Sequence, residues 1–404
     1  MRILIVSESF FPKVDGVTRT VAKLLEHLEQ GQHQVMLFCP DSGQTEYASA
    51  ELVGTTGIPF LPYPELKLNL WRPTFTKKLT QFHPQVIHLV DPVWLGAAAL
   101  AVCKLFSSQL QSIPLVASYH TNLATYCTHF GWGIFSPLMW RWNQFCHSFC
   151  RYTVCPSPST RDMLVSHGFN NVRLWPRGVN PHRFSRQHRS LSLRTQWLKT
   201  SVDKTILLYV GRISYEKNLQ LVMETYKLMD HSLCHLVVVG DGPALTTVQQ
   251  QSATIPVTFT GYLYGNDLAT AFASADIFTF PSTTETFGQV VLEAMASGLP
   301  VSGLMAEGVR DLVQHEYTGL LLDTTTMDFT EQCQQYKQHW MFLIQHVDAR
   351  ITMGENAAKV AASYTWTHAM EQMVQVYKDA INESVHHHHD NNNNNNDMCT
   401  VHDI

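Results

Sequence analysis

The sequence of 404 residues has no run of about 20 apolar residues, so we expect no transmembrane helix. Its first apolar run, RILIVSE, is too short for the core of a signal peptide, and no small-residue cleavage site follows it. Charged residues make up only 15% of the chain and the net charge is -5, which excludes a strongly basic surface for nucleic acid. We therefore expect a cytoplasmic globular protein with no nucleic-acid partner.

The sequence also lacks a C-x-x-C pair. Its nine cysteines are odd in number and scattered, which favours free thiols in a reducing compartment. Cys146 and Cys150, with His147 between them, have the residue types of a metal site, but we favour a half-buried helix at this position. The run of histidines and asparagines near the C-terminus is typical of a disordered tail. We expect neither a metal nor a cofactor.

Short runs rich in valine, isoleucine and leucine alternate with helix-like stretches along most of the chain. The runs lie at 2–8, 33–40, 84–90, 113–121 and 152–157 in the first half, and at 205–211, 234–242, 257–263, 276–282 and 299–304 in the second half. Short apolar runs that end at polar or proline turns are typical of buried parallel strands. The alternation predicts an α/β fold with doubly wound sheets.

A polar, basic stretch at 180–200 separates two halves of similar size, because the chain is too long for one core. The predicted domains are a Rossmann-like domain at 1–185, a second Rossmann-like domain at 186–364, a helix at 365–382 and a disordered tail at 383–404. Open α/β sheets bind ligands at the carboxyl ends of their strands. Two such sheets facing each other would form a cleft with a ligand on each side.

The helix predicted at 365–382 is amphipathic. Its apolar face consists of Ala369, Met373, Val376, Tyr377 and Ala380. This face predicts that the helix packs against a domain.

The stretch PSTTETFGQVVLEAMASGLPV, at 281–301, places two acids around a predicted helix N-terminus. Gly288 opens the helix, where unpaired backbone N–H groups of Phe287, Gln289 and Val290 attract phosphate. Glu285 precedes this terminus and Glu293 lies further along the helix. Carboxylates accept hydrogen bonds from hydroxyl groups, so the arrangement suits a phosphate between two polyhydroxylated groups, as in a nucleotide-sugar.

Cations for the phosphates follow another strand of the second half. The sequence GRISYEKN places Arg212 and Lys217 after Gly211, where a tight turn would allow them to hold a diphosphate. A second glycine turn, GDG, contains Gly240. Each signal alone is more typical of a solvated loop or a simple turn. Their occurrence together in one half favours a diphosphate site.

These motifs, together with FTGYL and GVRDLVQHEYTGLLLD, resemble those of retaining glycosyltransferases of family 4, which have the GT-B fold. The resemblance extends over about residues 1 to 380 and includes the spacing Glu285-x7-Glu293. It implies that the domain at 1–185 binds the acceptor, that the domain at 186–364 binds the nucleotide-sugar, and that the final helix crosses back to the first domain.

The resemblance also implies roles for individual residues. Glu285 would contact hydroxyls of the donor sugar, and Glu293 would bind the ribose. Arg212 and Lys217 would hold the diphosphate and stabilise the leaving group. Backbone N–H groups near Phe287 to Val290 would contact phosphate and sugar.

In the first domain, the resemblance implies that Gly16 lets the backbone approach the diphosphate and that His120 faces the donor sugar. A histidine satisfied in the core is the alternative for His120. Candidates for acceptor binding are His88, Asp91 and Tyr119. Asp91 could instead cap a turn.

Within the family, the sequence is most similar to sulfoquinovosyl-diacylglycerol synthases and GDP-mannose-dependent α-mannosyltransferases. It differs at Glu307, where many relatives have glycine, and at Val17, where many have the second glycine of a pair. These differences affect the expected shape of the sugar pocket. The donor is either a UDP- or a GDP-sugar, and the acceptor is a lipid, a glycan or a small molecule.

The resemblance implies a metal-independent, front-face transfer in which the leaving phosphate accepts the acceptor's proton. A two-carboxylate glycosidase is disfavoured, because it needs both acids across one sugar ring. An NAD-linked oxidoreductase is disfavoured, because no G-x-G-x-x-G follows the first strand. The alternatives left open are a nucleotide-sugar epimerase and a non-catalytic nucleotide-sugar-binding protein.

Aromatic residues are concentrated at 130–152. One interpretation is a surface that makes a peripheral contact with a membrane and admits a lipid acceptor. The interpretation that we favour is a long helix whose aromatic residues pack in the core of the first domain.

Overall fold

The computed structural model describes residues 1–13, 15–60, 63–107, 109–129, 132–199 and 203–398. The chain forms two compact units. The first consists of Met1–Pro156, Arg161–Trp175 and the residues from Thr367 onward, and the second consists of Ser157–Thr160 and Pro176–Trp366. The main change of unit thus falls at Trp175, whereas the sequence predicts it at 185.

The first unit is built on an eight-stranded sheet whose central strands are all parallel. In chain order the strands are β1 (Arg2–Ser7), β2 (Gln34–Pro40), β3 (Glu46–Tyr47), β4 (Ala50–Thr55), β7 (Val86–Val90), β8 (Leu115–Ser118), β9 (Tyr152–Cys155) and β10 (Val172–Leu174), and β5 (Gly57–Phe60) with β6 (Tyr63–Asn69) forms a separate pair. The order across the sheet is β10-β9-β8-β7-β1-β2-β4-β3. The apolar runs of the sequence are its central strands, because they are buried on both faces.

The second unit is built on a six-stranded parallel sheet. Its strands are β11 (Thr205–Val210), β12 (Cys234–Val239), β13 (Val257–Gly261), β14 (Ile277–Phe280), β15 (Val301–Leu304) and β16 (Gly319–Leu322), in the order β13-β12-β11-β14-β15-β16. Every residue of β11 is buried, as expected for a central strand. The sequence predicted the first five of these strands and missed β16.

The described residues contain fifteen α-helices, of which the last three follow the final strand. They are α1 (Gly16–Gln30), α2 (Pro73–Phe82), α3 (Leu95–Ala101), α4 (Leu123–His129), α5 (Ser136–Ser148), α6 (Pro158–Ser166), α7 (Leu191–Leu198), α8 (Leu219–Lys227), α9 (Leu245–Gln251), α10 (Gly265–Ser274), α11 (Gln289–Ala296), α12 (Val309–Leu312), α13 (Phe329–Gln345), α14 (Val347–Ala361) and α15 (Trp366–Met398). In the part of the chain that the structure describes, no helix has the length and hydropathy needed to cross a bilayer.

Helix α15 packs on the first unit, as the family resemblance implied. The five residues of its predicted apolar face are all buried. The hydroxyl of Tyr377 lies 2.7 Å from Nδ1 of His88 on β7, and Arg173 forms an ion pair with Asp379. The helix continues to Met398, beyond the predicted end at 382. Once a helix is nucleated by packing, each further residue adds a backbone hydrogen bond, so the helix can extend past its packed part.

Helix α5 has the reverse of the expected orientation. Phe135, Leu138, Trp142, Phe145 and Phe149 follow helical spacing and are between 38% and 62% exposed, while the opposite face is buried. The preferred prediction, that the aromatic residues at 130–152 pack in the core, is therefore wrong for this exposed face, whereas Trp140 packs against a buried cluster and Tyr152 is 5% exposed. The helix buries its polar and sulfur-containing face instead.

The buried face of α5 consists of Asn143, Cys146 and His147. Nδ1 of His147 lies 3.0 Å from the hydroxyl of Thr153, and burial lowers the pKa of His147 to about 3. Burial also raises the pKa of Cys146 to about 11. A neutral imidazole and a neutral thiol can be accommodated in this interior at physiological pH.

Candidate active site

The site is built at the point where the strand order of the second sheet reverses. From β11 the chain proceeds outward through β12 and β13, and it then returns to β14 and proceeds the other way. Strands β11 and β14 pair in parallel, with Leu207 beside Ile277 and Leu208 beside Phe278. Loops that follow two such strands diverge, and the crevice between them is the usual ligand site of an open α/β sheet.

The loops after these two strands contribute Lys217 and Glu285. The Lys217 ammonium donates a hydrogen bond of 2.6 Å to Oε1 of Glu285, and the two side chains are 14% and 20% exposed. The predicted diphosphate cation and the predicted sugar acid, 68 residues apart in sequence, are thus direct neighbours. A phosphate bound here would compete with Glu285 for the ammonium and leave its carboxylate free to accept from hydroxyls.

Glycines allow the neighbouring loops to approach one another. Gly240 has φ +136, and a Cβ added to it would lie 1.9 Å from the carbonyl oxygen of Gly211. Gly242 has φ +159, and a Cβ there would lie 2.3 Å from the carbonyl oxygen of Ile213. The GDG turn therefore supports the backbone that carries Arg212. The sequence identified Gly240 and Gly211 as site residues, and the structure brings them into contact.

Helix α11 begins at Gln289, one residue later than predicted. Gly288 is its N-cap and has a left-handed φ of +88, which favours glycine. Phe287 is buried outside the helix, and its ring packs against Tyr364 with a centroid distance of 6.2 Å. The side chain of Phe287 is therefore a packing element, and only its backbone can serve a ligand. Gln289 and Val290 occupy the first turn, as predicted.

The other two predicted donor residues lie on elements that adjoin the two loops, Arg212 after β11 and Glu293 on α11. Glu293 is one turn into α11 and only 4% exposed. Arg212 is half-buried, and its carbonyl oxygen accepts a 3.0 Å hydrogen bond from the hydroxyl of Tyr209. The arrangement combines two cationic side chains, a helix N-terminus and two carboxylates, which is the chemistry needed to bind a phosphate flanked by hydroxylated groups.

Sequence reasoning missed a group of residues that supports the Glu285 loop. The hydroxyl of Thr160 lies 3.1 Å from the carbonyl oxygen of Thr286 and 2.6 Å from Oε1 of Glu307. The hydroxyl of Ser159 donates to Asp311 and accepts from the backbone N–H of Gly308 at 3.0 Å. Isolated serine and threonine residues after a strand have no periodic signal, so only their contacts identify them.

In the first unit, His120 lies at the end of β8, where the sequence placed it. It is 6% exposed, and its ring packs edge-on against Trp175 with a centroid distance of 5.4 Å. Asp91 accepts from the backbone N–H of His120 at 2.7 Å and from the hydroxyl of Thr121 at 2.9 Å. Asp91 thus holds the turn that carries His120, which agrees with the alternative prediction that Asp91 caps a turn.

The other acceptor candidates are core residues. His88 is fully buried; its Nδ1 pairs with Tyr377 and its Nε2 lies 2.9 Å from the hydroxyl of Ser118. Burial lowers the pKa of His88 to about 3, so the ring is neutral. Tyr119 is 2% exposed and stacks on Trp140. The structure presents neither ring to an acceptor.

Gly16 is the first residue of α1, whose N-cap Asp15 accepts from the backbone N–H of Thr18 at 2.8 Å. The approach of Gly16 to a diphosphate stays a prediction. Among the described residues, no group of three or more histidine, cysteine, aspartate or glutamate side chains has the arrangement of a metal site.

Comparison with known proteins identifies the class. Residues 14–183 match the family model "Glycosyltransferase Family 4", and residues 196–359 match "Glycosyl transferases group 1". The chain is 34% identical over 388 residues to a GDP-mannose-dependent alpha-mannosyltransferase of Corynebacterium glutamicum, covering 94% of this chain and 89% of that protein. It is 29% identical to the sulfoquinovosyl transferase SQD2 of Arabidopsis thaliana, covering 91% and 71%.

Solved structures agree on the fold. The sucrose-phosphate synthase of Thermosynechococcus elongatus superposes with a TM-score of 0.76 at 20% identity, over 94% of this chain and 98% of that one. The HepE protein of Anabaena gives a TM-score of 0.73 at 19% identity, over 94% and 100%. The chain has the GT-B fold. It belongs to glycosyltransferase family 4, which supports the transferase prediction and not the epimerase or binding-protein alternatives.

The close approach at Gly240 gives a test of how the site is built. We expect Gly240→Ala to destabilise the protein by about 3 kcal/mol or more, because the added Cβ meets a backbone oxygen that cannot move aside. The control is Gly265→Ala, which also has a positive φ but open space around its Cβ, and we expect it to cost only about 1–2 kcal/mol. Thermal unfolding measures both, and equal losses in the two variants would contradict the close-approach role.

Proposed function

We propose that the protein transfers mannose from GDP-mannose to a hydroxyl group of a membrane lipid, with retention of configuration. The observation that carries the donor site is the contact between Lys217 and Glu285 beside the N-terminus of α11. The choice of GDP-mannose is supported by three relatives of 34% to 36% identity, each named as a GDP-mannose-dependent alpha-mannosyltransferase.

In the proposed reaction, the bond between the anomeric carbon and the phosphate oxygen breaks and charge develops on the leaving diphosphate. The acceptor oxygen bonds to the anomeric carbon from the same face, and its proton passes to the leaving phosphate. Lys217 and Arg212 stabilise that charge together with the first N–H groups of α11, so they bind the transition state more tightly than the ground state. Glu285 accepts from sugar hydroxyls, and Glu293 accepts from the ribose. We propose that these cations supply the charge that a metal ion would otherwise supply.

A panel of GDP- and UDP-sugars tests the donor. At about 100 times its Kd, a ligand stabilises the folded protein by roughly 2.7 kcal/mol, so GDP-mannose should raise the Tm by several degrees. The donor that stabilises the protein is then incubated with the protein and lipid acceptors, and the mannosyl lipid is identified by mass spectrometry. Stabilisation by a UDP-sugar but not by GDP-mannose would contradict the donor assignment.

The role of Lys217 is tested with a matched lysine. We expect Lys217→Ala to lower kcat/KM by about 100- to 1,000-fold, because it removes a charge on the leaving group. The control is Lys227→Ala: Lys227 also contacts a carboxylate, that of Glu224 at 2.7 Å, but lies on α8 away from the crevice loops. If Lys217→Ala retained wild-type kcat/KM, the diphosphate role would be excluded.

The lipid acceptor is supported by the exposed face of α5. We define the aromatic stripe as Phe135, Leu138, Trp142, Phe145 and Phe149. A continuous exposed apolar surface of this kind is typical of an interaction site. Two further relatives are named alpha-monoglucosyldiacylglycerol synthases, from Streptococcus pneumoniae and Acholeplasma laidlawii.

Charge favours an anionic bilayer as the partner of this stripe. The sequence contains no aspartate or glutamate between Asp91 and Asp162, although the whole chain has a net charge of -5. Arg141, on α5 itself, is exposed. Apolar side chains inserted at the interface and a nearby cation attracted to anionic lipid are the two elements of peripheral docking.

We expect the protein to float with liposomes that contain anionic lipid, and the double variant Leu138→Ser with Phe145→Ser to lose most of this binding. Leu138 and Phe145 are 62% and 52% exposed, so their replacement should leave the fold intact. Leu191→Ser is the control, since Leu191 is 76% exposed but lies in the second unit. Dimerisation of the wild type through the stripe, with no liposome binding, would contradict the proposal.

A further inference from the structure

The hydroxyl of Thr160 contacts two parts of the candidate site. Thr160 is completely buried and belongs to the second unit. Its Oγ1 lies within hydrogen-bond distance of the carbonyl oxygen of Thr286, at 3.1 Å, and of the Glu307 carboxylate, at 2.6 Å. A threonine hydroxyl has only one proton to donate. The two acceptors therefore compete for the same donor.

The carboxylate has the advantage in this competition while it is ionised. Hydrogen bonds to ionised acceptors are shorter and stronger than bonds to a neutral carbonyl, and the Glu307 contact is the shorter of the two. An ionised Glu307 therefore weakens the bond from Thr160 to Thr286. A group at position 307 that donated to Oγ1 would have the opposite effect, because the proton of Thr160 would then be left for Thr286.

The carbonyl of Thr286 belongs to the loop that carries Glu285. Gly308 also packs against this loop: a Cβ added to Gly308 would lie 2.7 Å from the carbonyl oxygen of Glu285 and 2.8 Å from the nitrogen of Phe287. The loop backbone therefore lies against residues 307–308, and its Thr286 carbonyl accepts a hydrogen bond from Thr160. Whatever fixes Thr286 also fixes the start of the Glu285 side chain.

We propose that Thr160 is a positioning residue for the Glu285 loop and that Glu307 sets the strength of its hold by competing for the hydroxyl proton. The inference rests on the proposed function of Glu285 as the residue that reads the donor sugar. The inference adds Thr160 and Glu307 as residues that affect the position of Glu285 through its loop.

Hydrogen exchange of the loop amides, measured without any donor, tests the proposal. We expect Thr160→Val to speed exchange over residues 284–288 by on the order of fivefold, because the loop loses a hydrogen bond. Thr160→Ser keeps the hydroxyl and should restore the wild-type rate. The control is Thr225→Val: Thr225 is equally buried in the same unit, and its hydroxyl lies 3.5 Å from the carbonyl oxygen of Cys333. An unchanged rate in Thr160→Val, or an equal increase in Thr225→Val, would overturn the proposal.

A second variant tests the role of Glu307. The amide of Glu307→Gln can donate to Oγ1 of Thr160 and leave the threonine proton for Thr286, so exchange should be slower than in the wild type. Exchange as fast as in Thr160→Val would show that Glu307 supports the loop instead of competing for it.

Kinetics separates this inference from the proposed function. Thr160→Val should raise KM for GDP-mannose several-fold while kcat changes less, and Thr160→Ser should reverse the effect. If the exchange rates change as expected but no transfer from GDP-mannose occurs, the positioning role stands and the donor assignment fails. If transfer occurs and KM is unchanged in Thr160→Val, the effect of the loop on sugar binding is excluded.

Discussion

The parallel pairing of β11 with β14 is the constraint on which the site depends. Because the strand order reverses between them, the loops after these strands diverge, and the crevice between them cannot be filled by a crossover helix. This arrangement brings Lys217 and Glu285 into contact although they are far apart in sequence. The strand order of the first sheet also reverses, between β1 and β7. Near this point the backbone N–H groups of Leu95 and Gly96 donate to the Glu8 carboxylate. Burial raises the pKa of Glu8, and these bonds oppose that effect.

The crevice is shaped mainly by backbone. Gly240, Gly242 and Gly308 each have a backbone atom of a neighbouring loop where a Cβ would be. Loops that touch through their backbones leave little freedom for the side chains between them, so Arg212 and Lys217 begin from fixed positions. This matters for a reaction that depends on charge stabilisation, because preorganised groups need no rearrangement when the charge develops. We expect the charged side chains to supply the chemistry, and the glycines fix the position of the backbone that carries these side chains.

The sequence was sufficient for most of the buried parallel strands, although it missed β16, and it placed Lys217 and Glu285 in loops that follow two of these strands. Buried parallel strands are continuous apolar runs, and site residues follow directly after them, so both are local features. It was insufficient for α5, because a stripe at helical spacing identifies an apolar face without saying whether that face meets a core or a partner. It was insufficient for His88 for the same reason: a strand-end histidine is catalytic or structural according to its neighbours, and those neighbours, Ser118 and Tyr377, come from distant segments. Thr160 is a third such residue, since its acceptors are more than 100 positions away.

Glu307 illustrates how a carboxylate beside the Glu285 loop can be accommodated. A carboxylate beside this loop raises two problems: it would repel a bound phosphate, and it loses solvation. Burial raises the pKa of Glu307, and Asp311 adds to this effect, whereas Thr160 and Arg310 oppose it. The structure avoids the first problem by directing the carboxylate to Thr160 and not toward the Lys217–Glu285 contact. The adjacent position 308 requires glycine, because an added Cβ would clash with the backbone of the Glu285 loop. Of the two positions at this turn, the backbone contact therefore restricts 308 to glycine, whereas 307 can carry a side chain that acts on the loop through a hydrogen bond.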